Sequence, residues 1–166
     1  VEALRTKRGA PTSRSGKGLT LDLDTLNNDG LLQVSEALDV QARRFTNNGS
    51  VQAAQLGLDI AGTLSNGASA ALLAEQNATV KAQTLDSGGT LAANALTLSG
   101  GTLTNRGALQ GDNALSATFG QLTNASGGTL LSGGNMTLNA ADASNDGSWQ
   151  AQQLELNADR FTNTGS

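Results

Sequence analysis

Along most of the chain, apolar side chains occupy every second position for a few residues and then give way to Asn, Asp and Gly. The clearest runs are Leu19/Leu21/Leu23, Leu38/Val40/Ala42, Leu56/Leu58/Ile60 and Ala78/Val80/Ala82. They continue as Leu96/Leu98, Leu115/Ala117/Phe119, Met136/Leu138/Ala140 and Leu154/Leu156/Ala158. Alternation with period two places one side of an extended strand in a core and the other in water. A second, shorter alternation follows at Leu32/Val34, Val51/Ala53, Leu91/Ala93 and Trp149/Ala151. No helical periodicity competes with it, so the pattern predicts an all-β fold of short strands.

Each long run ends on an anchor: Leu or Phe, any residue, then Asn, often with x-Gly after it. Examples are Leu26-Asn27-Asn28-Asp29-Gly30, Phe45-Thr46-Asn47-Asn48-Gly49 and Phe161-Thr162-Asn163-Thr164-Gly165. Ala143-Ser144-Asn145-Asp146-Gly147 is a variant, and looser copies begin at Leu64, Leu85 and Leu122. With Leu103, the anchors are spaced by 19, 19, 21, 18, 19, 21 and 18 residues. Such self-similarity marks a repeat architecture. A unit this small exposes an apolar face and two strand edges, and stacking satisfies both when successive strands pair at about 4.8 Å. The expected fold is a right-handed parallel β-helix of about eight coils, each roughly 19 residues, over residues 19–166. An antiparallel sandwich has no need of equally spaced anchors.

In that fold Asn28, Asn47, Asn66, Asn105, Asn124, Asn145 and Asn163 stack at one turn as a hydrogen-bonded ladder, interrupted by Ser87. The column reads as a structural device and not as a ligand-binding ridge, because Asn suits turns on its own account.

Composition narrows the chemistry. The 166 residues include no His, Cys or Tyr, and aromatics are 2%. Imidazole-dependent nucleophile machinery, thiolate metal sites and disulfides are therefore excluded. A base-stacking surface has too few aromatics to build it. Formal charge is −4. Residues 1–18 carry Arg5, Lys7, Arg8, Arg14 and Lys17 against Glu2, whereas 19–166 hold 5 basic and 13 acidic groups. The acidic body disfavours nucleic acid. The opening segment, which contains Pro11, reads as a basic linker or the start of a fragment. No apolar run reaches the length of a membrane helix, so membrane insertion is not expected.

The copies of Leu/Phe-Thr-Asn-x-Gly, followed by Gly-Thr-Leu or Gly-Ala-Leu strands as in Gly101-Thr102-Leu103-Thr104-Asn105-Arg106-Gly107-Ala108-Leu109, resemble the haemagglutinin repeats of large bacterial exoproteins. That family includes filamentous haemagglutinin and the contact-dependent growth-inhibition exoproteins. The resemblance covers residues 19–166. It implies a two-partner-secretion substrate, passed through an outer-membrane transporter and displayed or released outside a Gram-negative cell. The Asn-Pro motif of the family's secretion domain does not occur here, so the expectation is a middle fragment of a longer protein.

The leading functional expectation is a non-catalytic β-helical shaft that holds a distal adhesive or toxin-delivering module away from the cell, with no cofactor and no metal. An alternative is adhesion to host or neighbouring-cell glycans or proteins through a lateral face, where Thr79, Thr97, Ser116 and Thr137 take equivalent outward positions. A third reading, a carbohydrate-active enzyme, rests on outward Asp22, Asp39 and Asp59, with Glu155 and Asp159 weighed beside them. A solvated acidic face explains the same residues. Asn-x-Ser/Thr triplets at Asn48, Asn77, Asn124 and Asn135 are candidate glycosylation sites.

Overall fold

A computed structural model describes residues 3–6 and 13–166. Its strands begin with β1 (Ala3–Thr6), β2 (Ser13–Ser15), β3 (Leu19–Asn28), β4 (Leu31–Val34), β5 (Ala37–Asn47), β6 (Ser50–Ala53), β7 (Gln55–Asn66) and β8 (Ala71–Ala74). They continue with β9 (Asn77–Ser87), β10 (Thr90–Asn105), β11 (Ala108–Asn124), β12 (Thr129–Ser132), β13 (Asn135–Asn145), β14 (Ser148–Gln150) and β15 (Gln153–Asn163). No helix occurs among the described residues. Every pairing is parallel and joins a strand to its equivalent one repeat away, as Leu19 to Leu38 and Leu115 to Met136. The chain is thus a parallel β-solenoid of about eight coils at the 19-residue spacing the anchors imply.

Each coil has three strand segments. In β3 the buried positions are Leu23, Leu26 and Asn28, so the alternation slips by one residue at Asp24, where the pairing also skips. The same slip separates Ala42 from Phe45 in β5. A long strand therefore turns a corner and supplies a first and a second face, and the short strand after the Asn turn supplies a third. β10 and β11 each serve as the short strand of one coil and the long strand of the next: residues 90–92 pair with β8 and 95–105 with β9.

Turn length explains the uneven anchor spacing. After most Asn residues the chain reverses in two residues, such as Asp29-Gly30 or Arg106-Gly107. The two intervals of 21 residues instead contain four-residue turns over 67–70 and 125–128, closed by Ala70 N–H to Gly67 O at 2.9 Å and Gly128 N–H to Ala125 O at 2.8 Å. Gly127 in the second of these has φ +84°, a left-handed conformation that glycine adopts without penalty.

The inward residues of all three segments form one core. Neighbours in a column complement one another in size: Ala42, Ile60, Ala82, Gly100, Phe119 and Ala140 follow in register. The Phe119 ring fits because Gly100 presents no side chain. A Cβ there would stand 1.7 Å from Ala82 O and 3.2 Å from Phe119 Cε1. On the last coil Phe161 stacks on Trp149 with ring centroids 5.3 Å apart.

Parallel pairing extends N-terminal of Leu19, since β1 pairs with β3 (Leu4 to Leu26) and β2 with β4 (Arg14 to Gln33). Of the basic opening segment, Glu2, Lys7, Arg8 and Pro11 lie outside the described residues.

Candidate functional site

The turn column is built by the end of each long strand. Register places Asn28, Asn47, Asn66, Ser87, Asn105, Asn124, Asn145 and Asn163 one above another. Asn28 Nδ2 donates to Asn47 Oδ1 at 2.7 Å, and Asn47 Nδ2 to Asn66 Oδ1 at 2.9 Å. A second block runs from Asn105 to Asn124 (2.8 Å), Asn145 (2.8 Å) and Asn163 (2.9 Å). Each amide also donates to the carbonyl that opens a neighbouring short strand: Asn47 to Ala71 O, Asn66 to Thr90 O and Asn105 to Thr129 O. Buried amides need such partners, and Asn28, Asn47, Asn105, Asn124 and Asn145 use both N–H bonds inside the protein, whereas Asn66, below Ser87, donates to Thr90 O alone. The blocks are separated by Ser87, whose Oγ reaches only Gly89 O, at 3.5 Å. From Asn28 to Asn145 the column is buried and offers a ligand no surface.

Thr79, Thr97, Ser116 and Thr137 fall in one outward row of the first face, with Thr20, Asp39 and Gly57 before them and Glu155 after. Thr79 and Thr97 are exposed, and Ser116 and Thr137 half-buried. Gly57 breaks the row. The gap is a depression of about 610 Å³ bordered by Thr20, Asp39, Gln41, Asp59, Thr79 and Lys81. The Asp39 carboxylate leans over it, for a Cβ on Gly57 would lie 2.4 Å from Asp39 Oδ1.

Of the candidate acids, Asp39 and Asp59 border that depression together and Asp22 does not. Asp22 and Asp59 share the adjacent row with Gln41 between them, and Asp39 belongs to the row of Thr79. Glu155 accepts a hydrogen bond from Asn157 Nδ2 at 3.2 Å, and Glu155 and Asp159 are both exposed on the last coil. Among the described residues no three His, Cys, Asp or Glu side chains group as metal ligands would.

Ion pairs between successive coils stand outside what the alternation pattern reveals; among the described residues they include Asp24 with Arg43 at 2.6 Å, Asp86 with Arg106, and Asp142 with Arg160. Their signal in the sequence is an acid and a base one repeat apart. The hydrogen bond from Arg43 holds the Asp24 carboxyl below its ordinary value, and Arg160 does the same to Asp142. Both arginines are raised in turn by their carboxylates.

The candidate glycosylation positions divide by burial. Asn48, Asn77 and Asn135 are exposed, and Asn48 Nδ2 donates to Asp29 Oδ1 at 2.9 Å. Asn124 is buried with its amide committed to Asn145 and to Gly128 O, which leaves no room for a sugar in the folded chain.

The haemagglutinin-repeat family model matches residues 14–64, 51–110 and 92–166. A protein of Dickeya dadantii named deoxyribonuclease CdiA is 37% identical over 160 residues, which is 95% of this chain and 5% of that protein. An Escherichia coli protein named toxin CdiA is 33% identical over 154 residues, 88% of this chain and 5% of its own length. The 16S rRNA endonuclease CdiA of Enterobacter cloacae is 34% identical over 166 residues, 100% of this chain and 5% of that relative. The chain thus spans 5% of the length of these curated relatives. No solved structure matches it.

Proposed function

The chain belongs to the haemagglutinin-repeat family, and from that premise we propose that it is a non-catalytic shaft segment of a large exoprotein, secreted or held at the outer surface of a Gram-negative cell. The observation that carries this reading is the continuous parallel pairing from Leu19 to Asn163, one coil after another along a single axis with local shifts only at the corners. A stack of that kind lengthens by about 4.8 Å per coil, so repeats convert residues into reach. Its task is mechanical: to carry a distal adhesive or toxin-delivering module away from the cell. The nuclease and toxin names belong to relatives of which this chain spans 5%.

The export partner in this reading is the outer-membrane transporter of a two-partner secretion system. Each coil that docks outside the membrane disfavours back-sliding, because its strands gain ladder partners and its apolar face leaves water. Proline at Leu98 and Leu138, each in the interior of a paired strand, removes a ladder donor and blocks local stacking. These changes are expected to slow export of the full-length protein, and unchanged export removes the folding-driven part of the mechanism.

A second reading, adhesion to cell-surface glycans through the row of Thr79, Thr97, Ser116 and Thr137, is supported by the depression that Thr79 borders. Binding of the purified chain to a glycan and cell-surface panel at two salt concentrations separates the two. The shaft reading expects no saturable binding. Salt-resistant binding lost in Thr97→Lys would establish the adhesive face instead.

A further inference from the structure

The three faces of the solenoid differ in chemistry. The two central outward rows of the first face contain no apolar side chain and carry Asp22, Asp39, Asp59, Lys81 and Glu155. The two outward rows of the second face likewise contain no apolar side chain and carry Arg44, Asp86, Asp142 and Arg160. The third face, built by the outward residues of the short strands from Leu31 to Gln150, inverts this composition. It has no charged side chain, and its apolar members are Leu31, Ala71, Leu73, Ala92, Ala108 and Leu131. Gln, Ser and Thr fill the remaining positions. Arg14 stands at the register position preceding Gln33, at one end of the face. Leu31, Leu73 and Leu131 are half-buried and present the rest of their side chains at the surface, where the other two faces carry polar residues.

We propose that this third face is a lateral pairing surface for a second copy of the chain. Two facts favour that occupant. Residues 19–166 carry 5 basic against 13 acidic groups, so contact through the first face brings acid against acid and contact through the second must match its mixed charges, whereas the outward rows of the third face meet their twin without charge. It is also periodic, and a second copy presents strands at the same spacing of about 4.8 Å, so outward side chains of one copy fit between those of the other. A depression of about 460 Å³ beside Leu73, bordered by Gln33, Gln52, Ala53, Ala74 and Glu75, receives a side chain of the facing copy. Glu36, Glu75 and Asp112, exposed at the corner with the first face, form a charged rim. Seven short strands four residues wide cover about 450 Å² per copy, well below a standard interface, so one segment of this length pairs weakly. The pairing does not depend on the shaft reading. In a shaft it would bundle neighbouring stalks side by side.

Sedimentation velocity on the chain from about 10 µM to about 1 mM tests the proposal, with small-angle scattering to give the shape of any dimer. The expected result is a rise in average mass with concentration, a dimer wider but no longer than the monomer, and stronger association at high salt as the acidic faces are screened. Gln52→Lys with Gln110→Lys, which leaves the core untouched, is expected to weaken association about tenfold or more. Thr46→Lys with Thr104→Lys, on the second face, is expected to leave it unchanged. A chain that stays monomeric throughout overturns the proposal. A dimer that is longer and not wider, lost in Leu154→Ser with Phe161→Ser and kept in the Gln52/Gln110 variant, also overturns it in favour of end-to-end stacking.

Discussion

At the scale of single residues, the turn column sets how tightly one coil is tied to the next. Asn124 accepts from Asn105, donates to Asn145 and donates to the turn carbonyl of Gly128 and to Ser148 O at the start of β14. Asn124→Ala leaves several buried groups unpaired and is expected to cost about 2–4 kcal/mol, read as a fall in the urea midpoint. Ser87→Asn should act the other way. It offers Asn66 an acceptor and Asn105 a donor, and is expected to add about 1 kcal/mol by joining the two blocks. A loss of stability in that variant would mean that the pocket around Ser87 is shaped for the smaller side chain. Glycine is tested at two sites. Gly100→Ala drives a Cβ against the Ala82 carbonyl and is expected to destabilise by about 2–3 kcal/mol, whereas Gly57→Ala meets only the movable Asp39 carboxylate and should be nearly neutral. Equal melting temperatures for the two glycine variants would refute the size-complementarity of the Phe119 column.

Between elements, the exposed Asp–Arg pairs act as ties across neighbouring coils. Asp24 and Asp142 have carboxyls held below the ordinary 3.8 by hydrogen bonds from Arg43 and Arg160. A lowered folded value contributes stability that is fully present above pH 3.8 and is lost as pH falls through that lowered value. The double variant Asp24→Asn/Asp142→Asn is therefore expected to melt slightly below the parent at neutral pH and at the same temperature near pH 2. High salt should close the gap in the same way, because both pairs are exposed. A gap that persists in acid would show that the substitutions act on something other than charge. These ties also show where the sequence was readable. Inward runs and anchors were legible, because period two leaves a strand no other way to bury its leucines. The short strands around Leu72, Leu109 and Leu130 were less so, since in two of the three coils a four-residue turn displaces them from the expected spacing. The ion pairs and the uncharged third face were hidden for a different reason. Both are relations between residues about a repeat apart on the outside of the solenoid, where no apolar pattern marks them.

For the whole molecule, the register implies that the coil and not the residue is the unit of tolerance. Residues 45–63 are one full repeat, and their removal joins Arg44 to Leu64, the residue that already pairs with Phe45. Strand phase, corner and Asn column then close without a gap, as Asn66 takes the place of Asn47 above Asn28. In a stack whose stability is a sum over units and their neighbour interfaces, that deletion costs one unit and one interface. The shortened chain should unfold in a single transition only modestly below the parent, with a solenoid shorter by about 4.8 Å in small-angle scattering. Removal of residues 45–53 alone deletes fewer residues but discards the anchor Phe45 and the Asn47 rung, and it brings Ala54 to the position where Phe45 fills the core. It is expected to lose the cooperative transition, since a register error flips inward side chains to solvent along the rest of the coil. Equal damage from the two deletions would contradict a modular stack and point to a core that tolerates no change of length, which a shaft extended by repetition cannot have.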